Sequence, residues 1–192
     1  MSVETFRQFM ATLTDRIFDL VSAPVQNPEM LWIVAPLVTT LILMEFYFGR
    51  YKDEELGYNS SVANSLVLLF VSLDLVRYLY STVGARAFTD ILNLPSKTII
   101  ALIVAAQAIA LFYISYYHIL PRRLSFVLTN TTVINLTAYV AAVIIYTNIP
   151  VDIFTLLAAV LVYIALYFAF RGARKVEDEV IPLPEARPNV RK

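Results

Sequence analysis

The chain has 192 residues, 59% of them hydrophobic, with 15 basic and 15 acidic side chains, a formal net charge of zero and no cysteine. Its mean hydropathy of +0.68 lies far above the balance of a water-soluble domain. Disulfides, thiolate metal sites and cysteine nucleophiles are excluded, and without an excess of positive charge no nucleic-acid partner is expected.

In the first segment, Val3, Phe6, Met10, Leu13, Ile17 and Leu20 recur at alternating spacings of three and four, and Phe9, Phe18 and Val21 widen the stripe. Glu4, Arg7, Asp15, Arg16 and Asp19 fall where a cleavable leader would be uninterruptedly apolar, so no leader is expected. The pattern predicts an amphipathic helix in the membrane interface, its apolar face on lipid or on the rest of the chain, with docking of a partner or a second copy as the other use of that face. Pro24 and Pro28 are expected to break the helical pattern, which makes 1–28 an interfacial helix followed by a linker.

Five apolar stretches follow, from Leu31 to Gly49, Val62 to Leu79, Thr98 to Leu120, Leu124 to Thr147 and Ile153 to Phe170. A bilayer-spanning helix needs about 20 mostly apolar residues, because each rises about 1.5 Å and the hydrocarbon core is about 30 Å thick. The expected fold is therefore all-α, a polytopic integral membrane protein with about five transmembrane helices over 29–171. Among the connections, Tyr51 to Glu55 is expected to prolong the first span until Gly57, with Asp53, Glu54 and Glu55 as a solvated acidic turn. Asn59, Ser60 or Ser61 is expected to cap the second span. Thr82 to Lys97, with Phe88, Ile91, Leu92 and Leu94, suggests a short interfacial helix. Glu177, Asp178, Glu179 and three prolines mark 172–192 as a flexible tail.

Basic residues set the expected orientation. Arg50, Lys52, Arg122, Arg123, Arg171, Arg174 and Lys175 gather on one side, against Arg7, Arg16, Arg86 and Lys97 on the other. The positive-inside rule then predicts a cell-membrane protein with its N-terminus outside and its C-terminus cytoplasmic. Helices in lipid associate through small and polar residues. Seams of that kind are Ala101, Ala105, Ala108 and Ser115; Thr131, Asn135, Ala138 and Ala142; and Ala158, Ala165 and Ala169.

The most specific chemistry lies in the second span, where Asp74 and Arg77 are three residues apart on one helix face. Charges at depth are costly and usually face the bundle interior. Counting about 1.5 Å per residue from Val62, Leu120 and Leu124 as inner edges puts Asp74 about 18 Å deep, with Gln107 and Asn135 within about 2 Å of it. Thr39 and Thr40 fall close by, and Tyr139 arrives near the level of Arg77. Such a layer is either a hydrogen-bonded clamp that sets helix register or a proton or ion site. Glu45, about 6 Å inside the inner edge near Asn64 and Ser65, forms a second polar group.

Enzyme motifs are lacking. There is one histidine, and no zinc-protease, nucleophile-elbow or phosphate-loop pattern. No metal or other cofactor is implied. The expected function is a scaffold, assembly factor or subunit of a larger membrane complex, its partners being the lipid bilayer and further membrane subunits or copies of itself. The alternative is a small oligomeric ion channel or proton-coupled carrier built on the layer around Asp74.

Overall fold

A computed structural model describes residues 3–50, 58–89 and 95–180, leaving aside the side chains of 45–50, 170–171 and 173–180. Its elements are α1 (Val3–Gln26), a short 3-10 helix (Pro28–Met30), α2 (Leu31–Arg50), α3 (Tyr58–Val83), α4 (Arg86–Thr89), α5 (Ser96–Tyr116), α6 (Arg122–Leu128), α7 (Thr131–Tyr146) and α8 (Ile153–Val180). No strand occurs among the described residues, and large apolar side chains cover outward faces, including Phe70, Leu73, Ile103, Ile109, Val160 and Phe168. A surface of this kind is stable in lipid and not in water. The protein is an all-α membrane protein.

Among the described residues, three to four of the five expected crossings are long and apolar enough to span a bilayer. Tyr58–Val83, Ser96–Tyr116 and Arg122–Tyr146 are long and apolar enough to cross a bilayer. A fourth crossing results if α1 and the segment through Met44, bent by 82° from it, count as one. Among the described residues, α8 contributes a further apolar stretch, Ile153–Ala169, within a helix that runs on to Val180.

α7 is the centre of the bundle. It packs against α1, α2, α3 and α5, and its last turns from Ala141 to Tyr146 are buried on every side. The most extensive helix pair is α3 with α5. Ser61, Ser65 and Ser72 on α3 and Thr98, Ala101, Ala108 and Ser115 on α5 are buried. Small side chains at this spacing let two backbones approach closely, which is what holds helices together where lipid removes the hydrophobic drive. Of the expected seams, Ala101, Ala108 and Ser115 on α5 and Asn135, Ala138 and Ala142 on α7 are buried while Ala105 and Thr131 are half-buried, and on α8 Ala158 is buried and Ala165 and Ala169 are exposed.

Two local features differ from expectation. Pro24 does not end α1, which runs on to Gln26 before the chain turns at Asn27. A proline in the last turn has no N–H to give the carbonyl four residues back, Leu20 O, and the Tyr139 hydroxyl donates to it instead at 2.6 Å. The fourth apolar stretch is also not one continuous helix. Asn130 caps α7 by accepting from the Thr132 amide at 2.9 Å, and the chain leaves helical geometry at Thr129 and Asn130. A break inside lipid frees backbone groups that water cannot satisfy. Here Asn64 Nδ2 donates to Thr129 O at 2.7 Å and to Thr131 Oγ1 at 3.1 Å.

At the other boundaries, Asn59, Ser60 and Ser61 lie inside α3 rather than capping it. α4 supplies one turn of the expected connection helix. α8 continues helically to Val180, through residues with good helix propensity and ahead of Pro182. α5 closes on His118 in the left-handed region (φ 52°), with Ile119 N donating to Ile114 O. The His118 ring stacks on Tyr58 at 3.9 Å. The acidic turn at 53–55, Gly57, the residues Ile91, Leu92 and Leu94, and the tail 181–192 lie outside the described residues.

Candidate functional site

Asp74 is the hub of the polar chemistry. Its Oδ1 accepts from Arg77 Nε at 2.9 Å and Nη2 at 2.7 Å, and its Oδ2 accepts from the Tyr146 hydroxyl at 2.8 Å. The acid side chain is 27% exposed, while that of Arg77 is 68% exposed. The pair therefore opens outward from α3 instead of facing the bundle interior. Tyr146 is fixed by stacking on Tyr78 with ring centroids 3.8 Å apart. Because Tyr146 is the last residue of α7, Asp74 sits near the end of the bundle that carries α1. α3 begins at Tyr58, so Asp74 lies about 24 Å along the helix from its first residue.

The other members of the expected layer go elsewhere. Asn135 lies eleven residues before Tyr146 on α7, about 16 Å of rise, and donates from Nδ2 to Thr131 O of its own helix at 2.9 Å. Tyr139 does not approach Arg77; its hydroxyl is held by Leu20 O on α1. Gln107 is half-buried on α5 and bonds none of the others, and Thr39 is exposed. Thr40 alone shares a groove with Asp74, a space of about 340 Å³ between α2 and α3 walled by Trp32, Pro36, Val67 and Phe70. What meets at Asp74 is thus Arg77, Tyr146 and one edge of this groove.

The second polar group is also a set of helix ties. Asn64 bridges to the α6–α7 break, Ser65 Oγ donates to Ser61 O of its own helix at 2.8 Å, and the Ser115 and Ser125 hydroxyls pair at 3.1 Å between α5 and α6. The Glu45 side chain lies outside the described residues. At the α1 end, Lys97 Nζ donates to Ile145 O and Thr147 O, covering the C-terminal carbonyls of α7. Arg16 of α1 reaches Asp152 at 3.4 Å, and Phe9 meets Phe154 at 5.4 Å. Asp152 also caps α8 through the Thr155 amide at 2.8 Å. That amide, the Thr155 hydroxyl and Arg16 hold its carboxyl below the ordinary aspartate value. Among the described residues no three His, Cys, Asp or Glu side chains gather as metal ligands.

A feature without a sequence signature is an apolar cleft of about 360 Å³, open to the surface, between α1, α2, α7 and α8. Val21, Leu37, Val38, Leu136 and Tyr163 are among its walls, together with Asn135 and Tyr139. Asn135 is 4% exposed, and its Oδ1 is buried with no hydrogen-bond partner among the described residues. An unsatisfied buried acceptor of this kind costs about 1–3 kcal/mol. Comparison with protein-family models, with curated proteins and with solved structures returns no match.

Proposed function

We propose that this chain is a non-enzymatic helical scaffold of the cell membrane, a subunit or assembly factor that associates with other membrane subunits or further copies of itself. The observation that supports this reading is how the polar side chains are used. Asn64, Ser115, Tyr139, Tyr146 and Lys97 each tie one helix to another, and they do not converge on a shared reacting centre. Satisfied ties of this type rigidify and specify a bundle. The apolar stripe of α1 is only partly used inside the chain: Leu13 and Leu20 are buried, whereas Val3, Phe6 and Met10 remain exposed. That leaves a face for lipid or a neighbouring subunit.

A channel or carrier centred on Asp74 has less support, since Gln107, Asn135 and Tyr139 do not extend the Asp74 cluster into a polar path. The proposed orientation, N-terminus outside and C-terminus cytoplasmic, rests on the distribution of Lys and Arg.

Purification in mild detergent, with native mass measurement and identification of copurifying chains, tests the scaffold reading. A defined homo-oligomer or a stoichiometric membrane partner is expected. A monodisperse monomer with nothing bound, combined with flux of protons or monovalent ions in liposomes, would overturn it. Single cysteines placed at Asn148 and Asn189 of this cysteine-free chain test orientation: only the first should react with an impermeant maleimide on intact cells.

A further inference from the structure

We infer that α1 is a half-immersed helix of one membrane interface, and that the partner of its exposed apolar face is the hydrocarbon of that leaflet, not a second protein chain. The inference holds whether or not the chain serves as a scaffold.

Around its axis α1 has three sectors, one more than a helix on the surface of a water-soluble bundle needs. At 3.6 residues per turn, Leu13, Leu20 and Ala23 fall on one flank, where they are buried against the bundle. Phe6, Met10, Val21 and Val25 fall on a second, about 100° round the helix, and with Val3 they are between 43% and 88% exposed. Glu4, Asp15, Ser22 and Gln26 occupy the third, on the far side of both, where the Gln26 amide donates to the Ser22 hydroxyl at 2.8 Å. A helix that already buries one apolar flank in its own bundle has no use for a second in water. The second flank calls for another apolar medium.

Neighbouring elements set the direction and depth of α1. α2 packs against α7, which belongs to the crossing Arg122–Tyr146, and α1 is bent from the segment containing α2 by 82°. α1 therefore runs towards the membrane plane instead of along its normal. Its level is that at which α7 ends and α8 begins, since Arg16 reaches Asp152 in the connecting turn and Phe9 meets Phe154 in the first turn of α8. Non-helical backbone such as this turn belongs at headgroup depth, where water can satisfy it. Trp32, just past the turn that ends α1, is 88% exposed, and tryptophan is enriched at membrane–water interfaces. A helix lying flat at this level has water on one side and hydrocarbon on the other. With one flank on the bundle and the sector of Glu4 and Asp15 in water, Phe6, Met10, Val21 and Val25 point into the acyl chains. The apolar sector is also continuous with the outward surface of α8, where Leu156 and Val160 follow Phe154 and are exposed as the lipid-facing residues of the crossings are.

The test uses the full, cysteine-free chain in phosphatidylcholine vesicles, with a nitroxide on single cysteines placed at Phe6, Met10 and Val21 or at Asp15 and Ser22. Accessibility to oxygen, which concentrates in hydrocarbon, and to a water-soluble nickel chelate gives the depth of each site. Phe6, Met10 and Val21 are expected about 5–10 Å below the headgroup boundary, with Asp15 and Ser22 open to nickel. Nickel access at Phe6, Met10 and Val21 equal to that at Asp15 and Ser22 would overturn the immersion. Shielding of the apolar sites from both reagents would show a protein chain covering them and overturn lipid as the partner. A second reading uses the unmutated protein, in which Trp32 is the only tryptophan. Phosphatidylcholine brominated near the carbonyl end of its acyl chains should quench Trp32 fluorescence more than lipid brominated near the methyl end. Stronger quenching by the deep bromines, or none by either, would overturn the interfacial level whatever the labelled variants do.

Discussion

The contact between Tyr139 and α1 is a repair of a proline, and it can be tested as one. Pro24 leaves Leu20 O without its helical donor, and the Tyr139 hydroxyl fills that vacancy at 2.6 Å from a different helix. Tyr139→Phe keeps the ring and removes only the hydroxyl, so the loss is that of a part-buried carbonyl left unpaired, about 1–3 kcal/mol. Pro24→Ala restores an N–H four residues after Leu20 and lets the helix satisfy the carbonyl itself. In that background Tyr139→Phe should cost well under half as much, giving a coupling of about 1 kcal/mol between residues on separate helices. Unfolding of the purified protein from detergent micelles by rising SDS, followed by far-UV circular dichroism, measures all four corners of the cycle. Hydrogen exchange of the α1 amides shows whether the loss is local to its docking. An equal cost in both backgrounds, or a cost below about 0.5 kcal/mol in the wild type, would refute the argument.

Three further outcomes follow from the polar ties. Asn64→Leu removes the donor to Thr129 O at the break between α6 and α7, and should lower stability by about 1–3 kcal/mol in the same SDS titration, with faster amide exchange confined to residues 128–132. Asp74→Asn should lower the thermal midpoint in detergent more than Arg77→Gln does, because Asp74 also accepts from the enclosed Tyr146 while the arginine is mostly exposed; the reverse order would discard the hub reading. For Asp152, the carboxyl is held below its ordinary value of 3.8, chiefly by the Thr155 amide. A depressed folded value means its stabilising contribution is present above the unfolded value and disappears as pH falls through the folded one. The difference in unfolding midpoint between wild type and Asp152→Asn should therefore be constant from pH 7 to about 5 and shrink as the pH is taken below about 4; a difference that grows on acidification would reverse the assignment.

What the sequence by itself determined is the solvent and the local geometry. Apolar runs of bilayer length, the three-and-four stripe of α1, the small-residue faces around Ala101 and Ala108 or Ala138 and Ala142, and the Asp74–Arg77 pair all depend on spacing along one helix. Backbone geometry fixes such spacing at 3.6 residues per turn whatever surrounds it. Tertiary structure decided which helix meets which, and at what axial offset. Asp74 takes Tyr146 rather than Asn135, Tyr139 turns to Leu20 rather than Arg77, and Asn64 finds the carbonyl exposed by a break that the apolar run through Leu124 to Thr147 did not announce. A shift of one turn moves a side chain about 5.4 Å along the axis, beyond hydrogen-bond reach. The cleft below α1 belongs to the same class. Its walls come from four helices, and each of them is apolar on its lipid side as well, so hydrophobicity cannot distinguish a face that lines a cleft from one that meets a hydrocarbon chain.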